Sequence, residues 1–524
     1  MLFNSYEFLF LFLPITLAGY FLIAGRRHEP SIAWLFAASL FFYGWWNPAY
    51  VGLLVASILF NFSMGSAISR AHRTGSAARK KRLLMAAVGA DLALLAYYKY
   101  ANFFLDNANE LLGLGWTMEA VILPLGISFF TFTQIAFLVD AYRGEVREHN
   151  FIHYGLFVTY FPHLIAGPVL HHKEMMPQFA MQKAHGLHWE ALAVGLTFFV
   201  FGLFKKVGLA DGVAPFASPV FDAAAAGQTL TLLDAWSGAL AYTLQLYFDF
   251  SGYSDMAIGL SLMFGIRLPL NFNSPYKAGN IIDFWRRWHM TLSRFLRDYL
   301  YFALGGNRKG TRRRYFNLMA TMLLGGLWHG AGWTFVIWGG LHGLYLCINH
   351  GWVSLRRRVC GNRAAGRTER AAGWLLTFVA VVVGWVFFRA ADVDAALAML
   401  QGMLGLNGVA LPNAIAARLG SAWPTLVDLG FTSYLGGGSQ FVLAWLWVLL
   451  LLMIVLALPN TQQIIRRFEP ASRADDAGAR GEAGVGHRGL AWAPSPTWAV
   501  AVGLMAASGV LAMNSVSEFL YFQF

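Results

Sequence analysis

The sequence has 524 residues, of which 57% are hydrophobic and only 13% charged. Soluble domains carry about 25% charged residues, so this composition excludes an ordinary soluble enzyme and indicates a membrane protein. The net charge of +12 does not indicate nucleic-acid binding, because the Lys and Arg residues stand in short loops between apolar runs, as membrane topology requires.

Apolar runs of about 20 residues, long enough to cross a membrane, recur along the whole chain. They predict an all-α polytopic bundle of about eleven to thirteen membrane segments, since several runs could hold two crossings. No positive region precedes the first run, which is therefore predicted to be a span and not a cleaved signal peptide. The runs are 6–25, 32–46 with 48–65, 83–98, 119–139, 151–171, 190–210, 233–265, 316–350, 372–389, 440–458 and 496–518.

Basic loops predict the orientation of the bundle, because Lys and Arg collect on the cytoplasmic side. This rule places both chain termini outside. It also divides the chain into a membrane core (1–460), a cytoplasmic linker rich in Gly, Ala and Arg (461–495), and a last transmembrane helix with an external aromatic tail (496–524).

The run between Arg314 and Arg356 contains no charged residue, although both ends are basic and therefore predicted to be cytoplasmic. A helix from Tyr315 to His329 would cover about 21 Å, which is past the middle of a ~30 Å membrane core. We therefore expect the chain to turn back near Gly325–Gly326 and Gly330–Gly332, and irregular backbone at this depth lines a cavity or is buried in protein.

His329 stands at this expected bend, and a neutral imidazole there suits general-base catalysis. The alternative is a histidine that is simply hydrogen-bonded between helices, but ionisable groups inside membranes are usually functional. His342, on the returning segment, is interpreted as such a structural residue.

Residues 281–303 predict an amphipathic helix that lies at the membrane interface or re-enters the membrane. Its polar stripe holds Arg286, His289, Ser293 and Arg297. Arg286, Arg287 and Arg297 are candidates for binding the phosphates of a coenzyme or carrier donor, and His289 for holding its carbonyl or pantetheine arm. The alternative is a surface helix that anchors on anionic lipid. The apolar stripe consists of Phe284, Trp285, Trp288, Leu292, Phe295 and Tyr299.

Other polar residues stand in apolar surroundings. Asp249 is a candidate cavity residue, although a structural ion pair with Lys205 or Lys206 is the favoured interpretation. Asn273, in the turn 271–276 before the amphipathic helix, is a second candidate. Adjacent histidines at 171 and 172 do not predict a metal site, because no Cys or acidic ligands accompany them.

The C-terminal tail FLYFQF is typical of an aromatic membrane anchor. The hydroxyl of Tyr521 could alternatively enter a cavity that opens outward and carry an acyl group covalently.

Several long motifs together resemble the membrane-bound O-acyltransferase family, and in particular its members that O-acetylate bacterial polysaccharides such as alginate. The resemblance implies a bundle with a central cavity in the bacterial inner membrane. It assigns the family's essential histidine to His329, its second histidine to His289 and an acyl-carrying terminal tyrosine to Tyr521. The motifs are EFLFLFLPI, YKYANFF, LPLGISFFTF, FPHLIAGP, QLYFDFSGYSDMAIGL, DFWRRWHMTLSRFLRDYLYFALGGNRKG, MLLGGLWHGAGWTFVIWGGLHG and FLYFQF.

The same resemblance implies the reaction partners. The acyl donor would be cytoplasmic acetyl-CoA, with no bound cofactor, and a periplasmic SGNH-hydrolase-like acetyltransferase would place the acetyl group on the polysaccharide alongside other polysaccharide-secretion proteins. The alternative function is a transporter of the acyl donor or of the polysaccharide. The absence of an internal sequence repeat counts against that alternative.

Overall fold

The computed structural model describes residues 1–119, 121–146, 150–181, 188–361, 363–468, 471, 490–513 and 520. Within these residues the regular secondary structure is almost entirely helical, which confirms the predicted all-α class. Two short strands, β1 (Val409–Pro412) and β2 (Phe431–Tyr434), pair in parallel in the 405–438 connection.

The helices follow the predicted apolar runs. The helices up to the central one are α1 (Leu13–Ala24), α2 (His28–Gly44), α3 (Ala49–Arg73), α4 (Ala77–Leu95), α5 (Ala101–Leu112), α6 (Ile127–Arg143), α7 (Phe151–Thr159), α8 (His172–Ala180), α9 (Trp189–Leu203), α10 (Asp211–Ala225) and α11 (Leu232–Met263). The remaining helices are α12 (Ile281–Trp285), α13 (Met290–Phe295), α14 (Gly310–His329), α15 (Trp333–Cys360), α16 (Arg367–Arg389), α17 (Val393–Met403), α18 (Asn413–Arg418), α19 (Ala422–Asp428), α20 (Gly438–Ala457), α21 (Thr461–Ile465) and α22 (Pro496–Ala512). Short 3-10 turns occur at Pro275–Lys277 and Arg466–Phe468, and π-helical turns at Phe8–Phe12, Ala96–Tyr100, Phe204–Ala210 and Leu296–Tyr301.

Five helical rods in the described chain are long and apolar enough to cross a membrane. Their many exposed large apolar side chains suit contact with lipid tails and not with water. The count of eleven to thirteen crossings stays a prediction. The five rods are Ala49–Arg73, Ala77–Leu112, Trp189–Ala225, Arg367–Arg389 and Gly438–Ala457.

The 32-residue helix α11 is the centre of the bundle, and almost all of it is buried. It packs against α9 at two glycine pairs, where a Cβ atom on Gly259 would lie 2.4 Å from the Gly195 carbonyl oxygen and one on Gly202 would lie 2.5 Å from the Gly252 carbonyl oxygen. Small residues allow membrane helices to approach this closely, because attraction in lipid comes from packing and not from exclusion of water.

Two predicted spans are shorter than expected. The run 119–139 becomes helical only at Ile127, after Pro124 and a left-handed Gly126. The run 151–171 is helical only to Thr159, and residues 160–171 form turns that are buried throughout. The apolar composition of 160–171 therefore reflects burial inside the protein, where irregular backbone is tolerated, and not a crossing. In the non-helical start of the run 119–139, by contrast, Ile122 and Leu123 are exposed.

The predicted linker 461–495 begins with an ordered element. Helix α21 occupies Thr461–Ile465 and buries Ile465 completely. Residues 472–489, where most of its Gly, Ala and Arg are concentrated, lie outside the described residues, and the division of the chain into core, linker and tail stays a prediction.

Candidate active site

The hairpin of α14 and α15 confirms the expected return of the chain. Helix α14 ends at His329, Gly330 and Gly332 adopt extended backbone, and α15 begins at Trp333. The turn lies at Gly330–Gly332 alone, and the expectation that it also involves Gly325–Gly326 was wrong, because both glycines lie within α14. Gly326 instead allows close helix packing, since a Cβ atom there would lie 2.2 Å from the Phe335 carbonyl oxygen.

His329 is buried, with 6% of its surface exposed, at the end of α14. Three aromatic rings surround its imidazole, with centroid distances of 4.9 Å to Trp328, 5.1 Å to Trp338 and 5.2 Å to Phe388. These aromatic walls keep bulk water away from the imidazole.

His342 lies beyond Trp338, whose ring centroid is 4.9 Å from its own. The Trp285 indole N–H donates to His342 Nδ1 at 3.3 Å. The side chain is completely buried. This packing is what a structural histidine between helices requires.

The region 281–303 is not the single amphipathic helix that was predicted. Helices α12 and α13 are separate, and His289, between them, has a left-handed backbone (φ 44°) that a residue with a side chain rarely adopts. The predicted apolar stripe is nevertheless buried or partly buried. The polar stripe is divided, since Arg286 and Arg297 are exposed whereas His289 is buried.

A long-range backbone pairing causes this break. The Met290 N–H donates to the Asn271 carbonyl at 2.9 Å, and the Asn273 N–H donates to the Arg287 carbonyl at 2.9 Å. These bonds use backbone groups that a continuous helix would pair internally, so the helix stops and His289 turns into the interior.

The His289 ring is fixed by Asn271. Its Nδ1 lies 3.0 Å from Asn271 Oδ1, which also accepts from the Thr291 hydroxyl at 2.9 Å, while Asn271 Nδ2 donates to Ser254 Oγ at 3.2 Å. This pattern makes Nδ1 the donor, so Nε2 of the neutral ring presents a lone pair. Nε2 is buried and has no hydrogen-bond partner among the residues that the structure describes.

Trp328 joins the two histidines into one site. Its ring centroid lies 4.9 Å from that of His329 and 6.5 Å from that of His289. Phe250 of α11 closes the other side of His289, with centroids 4.8 Å apart. The structure therefore brings together two histidines that are 40 positions apart in the sequence (329 minus 289).

Of the predicted donor-binding arginines, Arg286 and Arg297 are exposed and Arg287 is partly buried. Arg287 Nε donates to Asp283 at 2.8 Å, and Arg297 Nε donates to Asp298 at 2.7 Å. A phosphate group would have to compete with these carboxylates for Arg287 and Arg297, whereas Arg286 is exposed. Their role in donor binding stays a prediction.

The other candidate residues take different positions. Asp249 Oδ1 pairs with Lys206 Nζ at 2.7 Å, in agreement with the structural ion pair, and Lys206 also contacts Asp211 at 2.8 Å. Asn273 Oδ1 accepts from Asn460 at 3.1 Å, so it joins the 271–276 turn to the start of α21. Tyr521 lies outside the described residues.

Sequence reasoning missed Asn271 and a second buried polar network. In that network, Asp140 accepts from the Tyr299 hydroxyl at 2.8 Å and contacts His172 Nδ1 at 3.1 Å, and His171 Nδ1 lies 3.1 Å from the same hydroxyl. Asp140 stands directly after the apolar run 119–139, and in the sequence only the paired histidines draw attention to this network. Within the described ranges, no group of three His, Cys, Asp or Glu side chains is arranged to hold a metal ion.

The chain is thus a helical bundle that buries two histidines beside a helix break, and its residues 90–391 match the model of the membrane-bound O-acyltransferase (MBOAT) family. The chain belongs to this family and is an acyltransferase, which confirms the predicted resemblance.

Among its relatives, the probable alginate O-acetylase AlgI of Azotobacter vinelandii is 42% identical over the full length of both chains. The peptidoglycan O-acetyltransferase of Helicobacter pylori is 46% identical over 78% of this chain and 81% of the relative. A teichoic acid D-alanyltransferase of Streptococcus thermophilus is 27% identical over 50% of this chain and 68% of the relative.

Proposed function

We propose that this protein moves an acetyl group from cytoplasmic acetyl-CoA across the bacterial inner membrane for O-acetylation of a secreted or cell-surface polysaccharide. The burial of His289 and His329 next to the same Trp328 ring is the observation that carries the proposal. Full-length similarity to an alginate O-acetylase favours an alginate-like acceptor over peptidoglycan, the acceptor named for a relative matched over less of the chain.

The proposed reaction is an acyl transfer with His329 as general base. His329 accepts the proton of an attacking hydroxyl, whose oxygen forms a bond to the thioester carbonyl carbon. The tetrahedral intermediate then collapses, the carbon–sulfur bond breaks, and the leaving thiolate takes the proton back from the imidazolium. The ring ends the cycle neutral, so no cofactor is consumed.

His289 is proposed to position the donor. Because Asn271 Oδ1 accepts from Nδ1, Nε2 of the neutral ring acts as an acceptor. An acceptor suits an amide N–H of the pantetheine arm and does not suit the thioester carbonyl. This chemistry favours the pantetheine arm among the two groups that His289 was predicted to hold.

Tyr521 is proposed to supply the attacking hydroxyl and to carry the acetyl group outward. The backbone N–H of its neighbour Leu520 donates to Asp249 Oδ2 at 3.1 Å, and Leu520 is buried with 7% of its surface exposed. A periplasmic SGNH-hydrolase-like partner would then move the acetyl group from the tyrosine ester to the polymer. Tyr521→Phe should abolish both polymer acetylation and any acetyl ester on the C-terminal peptide in mass spectra; normal acetylation by this variant would reject the carrier role.

His329→Gln tests the proposed function. We expect it to abolish polymer O-acetylation in cells while protein level and polymer secretion stay normal, because glutamine cannot act as a base. The matched control is His163→Gln, which replaces another buried histidine whose Nε2 contacts the Phe157 carbonyl at 2.9 Å. Polymer acetylation that persists in His329→Gln cells would refute the assignment.

A further inference from the structure

The end of helix α14 has an unusual set of hydrogen-bond partners. The last four carbonyl groups of an α-helix have no partner within it. Here the Lys99 ammonium donates to the Trp328 carbonyl at 2.6 Å and to the His329 carbonyl at 3.1 Å, and the Tyr100 hydroxyl donates to the Leu327 carbonyl at 2.8 Å. Three successive carbonyls that end at His329 are therefore capped by two side chains from a distant helix.

The same distant helix also holds the start of α15. Lys99, Phe103 and Asn107 stand four residues apart, so they share one face of the rod 77–112. Phe103 packs on Trp333 with ring centroids 5.9 Å apart, and Asn107 Oδ1 accepts from the Trp333 indole N–H at 2.8 Å. The helical rod 77–112 therefore contacts the α14–α15 hairpin on both sides of the Gly330–Gly332 bend.

A π-helical turn, Ala96–Tyr100, contains the two capping residues. Such turns insert one extra residue into a helix, change the direction of the side chains that follow, and are frequent at functional sites. Here the turn allows Lys99 and the adjacent Tyr100 to bond to neighbouring carbonyls at the end of α14, although consecutive side chains of a regular helix point about 100° apart.

The charge of Lys99 suits its position. The C-terminal end of a helix carries a partial negative charge, and a cation there is stabilising. Among the described residues, no carboxylate lies within ion-pair distance of Lys99 Nζ, whereas Lys205 and Lys206 are both paired with aspartates. The partial negative charge at the end of α14, which bears His329, is therefore the electrostatic partner of Lys99.

We propose that Lys99 is a positioning residue for the acyl transfer: it fixes where α14 ends and so holds the His329 imidazole in place. The inference rests on the proposed catalytic function of His329. Without the ammonium group, two carbonyls at the bend lose their donor and the bend relaxes. A displacement of the base by about 1 Å can reduce a rate by about 100-fold.

The test compares Lys99→Met with Lys99→Arg and with Lys80→Met in inside-out native membrane vesicles supplied with acetyl-CoA. Lys80 is a matched control, because its ammonium also donates to a carbonyl near a helix end, that of Tyr142 at 3.2 Å, on a different helix. We expect Lys99→Met to lower kcat about 10- to 100-fold with KM for acetyl-CoA changed less than about threefold. Lys99→Arg should restore most of kcat, and Lys80→Met should match the wild type.

Hydrogen–deuterium exchange of purified full-length protein supplies a second readout. In Lys99→Met, exchange at 330–334 should be faster than in the wild type and in Lys80→Met. If Lys99→Met does not purify as a folded protein, Tyr100→Phe, which removes only the bond to the Leu327 carbonyl, should show the same two changes at smaller size.

Three results would overturn the inference: wild-type kcat in Lys99→Met, a change confined to KM, or unchanged exchange at the bend. The proposed function fails separately. An active His329→Gln variant would refute the catalytic role of His329. Faster exchange at 330–334 in Lys99→Met would still support the proposal that Lys99 holds the end of α14 in place.

Discussion

At the scale of single residues, the site depends on how each imidazole is fixed. His289 has φ 44° and ψ 52°, a backbone conformation that costs about 1–2 kcal/mol for a residue with a side chain. The Met290 N–H bond to the Asn271 carbonyl and the His289 Nδ1 bond to Asn271 Oδ1 compensate for this cost. Asn271 is therefore the residue that determines both the backbone and the ring orientation of His289.

Replacement of Asn271 should impair the site more than replacement of Asn273. Asn271→Ala leaves the His289 Nδ1–H and the Thr291 hydroxyl without an acceptor in a buried setting, at a cost of about 1–3 kcal/mol. If the transition state loses this much stabilisation, kcat/KM falls by about 5- to 150-fold. Asn273→Ala, which loses a contact to Asn460, should change it less than about threefold. Vesicle assays of both variants check this order, and an equal effect would show that Asn271 does not position His289.

The sequence could locate His329 but not its surroundings. An uncharged run between two basic clusters, interrupted by glycines, was enough to predict a bend at this depth. Asn271 and Lys99 could not be predicted as its supports, because their contacts depend on how distant segments pack. The sequence indicates Asn273 as a candidate cavity residue, whereas the structure places Asn271 against His289. Both residues stand in the same turn, and only the packing distinguishes them.

At the scale of elements, the α14–α15 hairpin depends on a close helix crossing. A Cβ atom on Gly339 would lie 2.3 Å from the Met322 carbonyl oxygen, a backbone atom that cannot move aside alone. Glycines at 326 and 339 therefore bring the two helices into backbone contact and set the angle at which the chain leaves the bend.

Gly339→Ala should separate these helices, whereas Gly340→Ala should be tolerated. A Cβ atom on Gly340 would meet only Leu323 Cδ2 at 3.5 Å, an ordinary contact. Overpacking at Gly339 should cost about 1–3 kcal/mol and lower the Tm of the purified protein by several degrees. Thermal unfolding in one detergent compares the two variants directly. If both variants unfold at the wild-type temperature, the crossing is looser than described.

Helices that coincide with continuous apolar runs could be predicted from the sequence, whereas elements determined by long-range backbone pairing could not. The long helices α9, α11 and α16 follow their apolar runs closely. The break at His289 is caused by backbone pairing with the 271–273 segment. No Gly or Pro stands at this position, so the sequence gives no local signal of the break. The buried turns at 160–171 have the apolar composition of a span, and composition alone cannot distinguish the two.

At the scale of the whole molecule, buried charges connect the central helix α11 to the chain end. Lys206 contacts both Asp249 and Asp211, and Asp249 Oδ2 accepts from the Leu520 N–H at 3.1 Å. Phe250, the next residue of α11, packs on His289, so the bond between Leu520 and Asp249 is one residue of α11 away from a contact with the candidate site. The alignment with the alginate O-acetylase relative covers the full length of both chains, and so it includes Lys206, Asp249 and Leu520.

Asp249→Asn should loosen the tail. It weakens the charge-assisted bond to the Leu520 N–H, while Lys206 keeps Asp211 as a partner. A cysteine introduced at Gln523, with Cys347 and Cys360 replaced by Ser, should react with a membrane-impermeant maleimide several-fold faster in Asp249→Asn than in the parent. Asp255→Asn is the control, since Asp255 pairs with Lys205 and Thr461 and not with the tail. Equal labelling in the two variants would contradict the anchoring role of Asp249.

The most direct test of the central claim is transfer of labelled acetyl groups across sealed inside-out membrane vesicles. Radiolabelled acetyl-CoA is supplied on the former cytoplasmic side, and acetyl esters are counted on polymer enclosed in the lumen. We expect accumulation of luminal esters with the wild-type protein, none with His329→Gln, and near-normal accumulation with His163→Gln. Luminal acetylation at the wild-type rate by His329→Gln would contradict it.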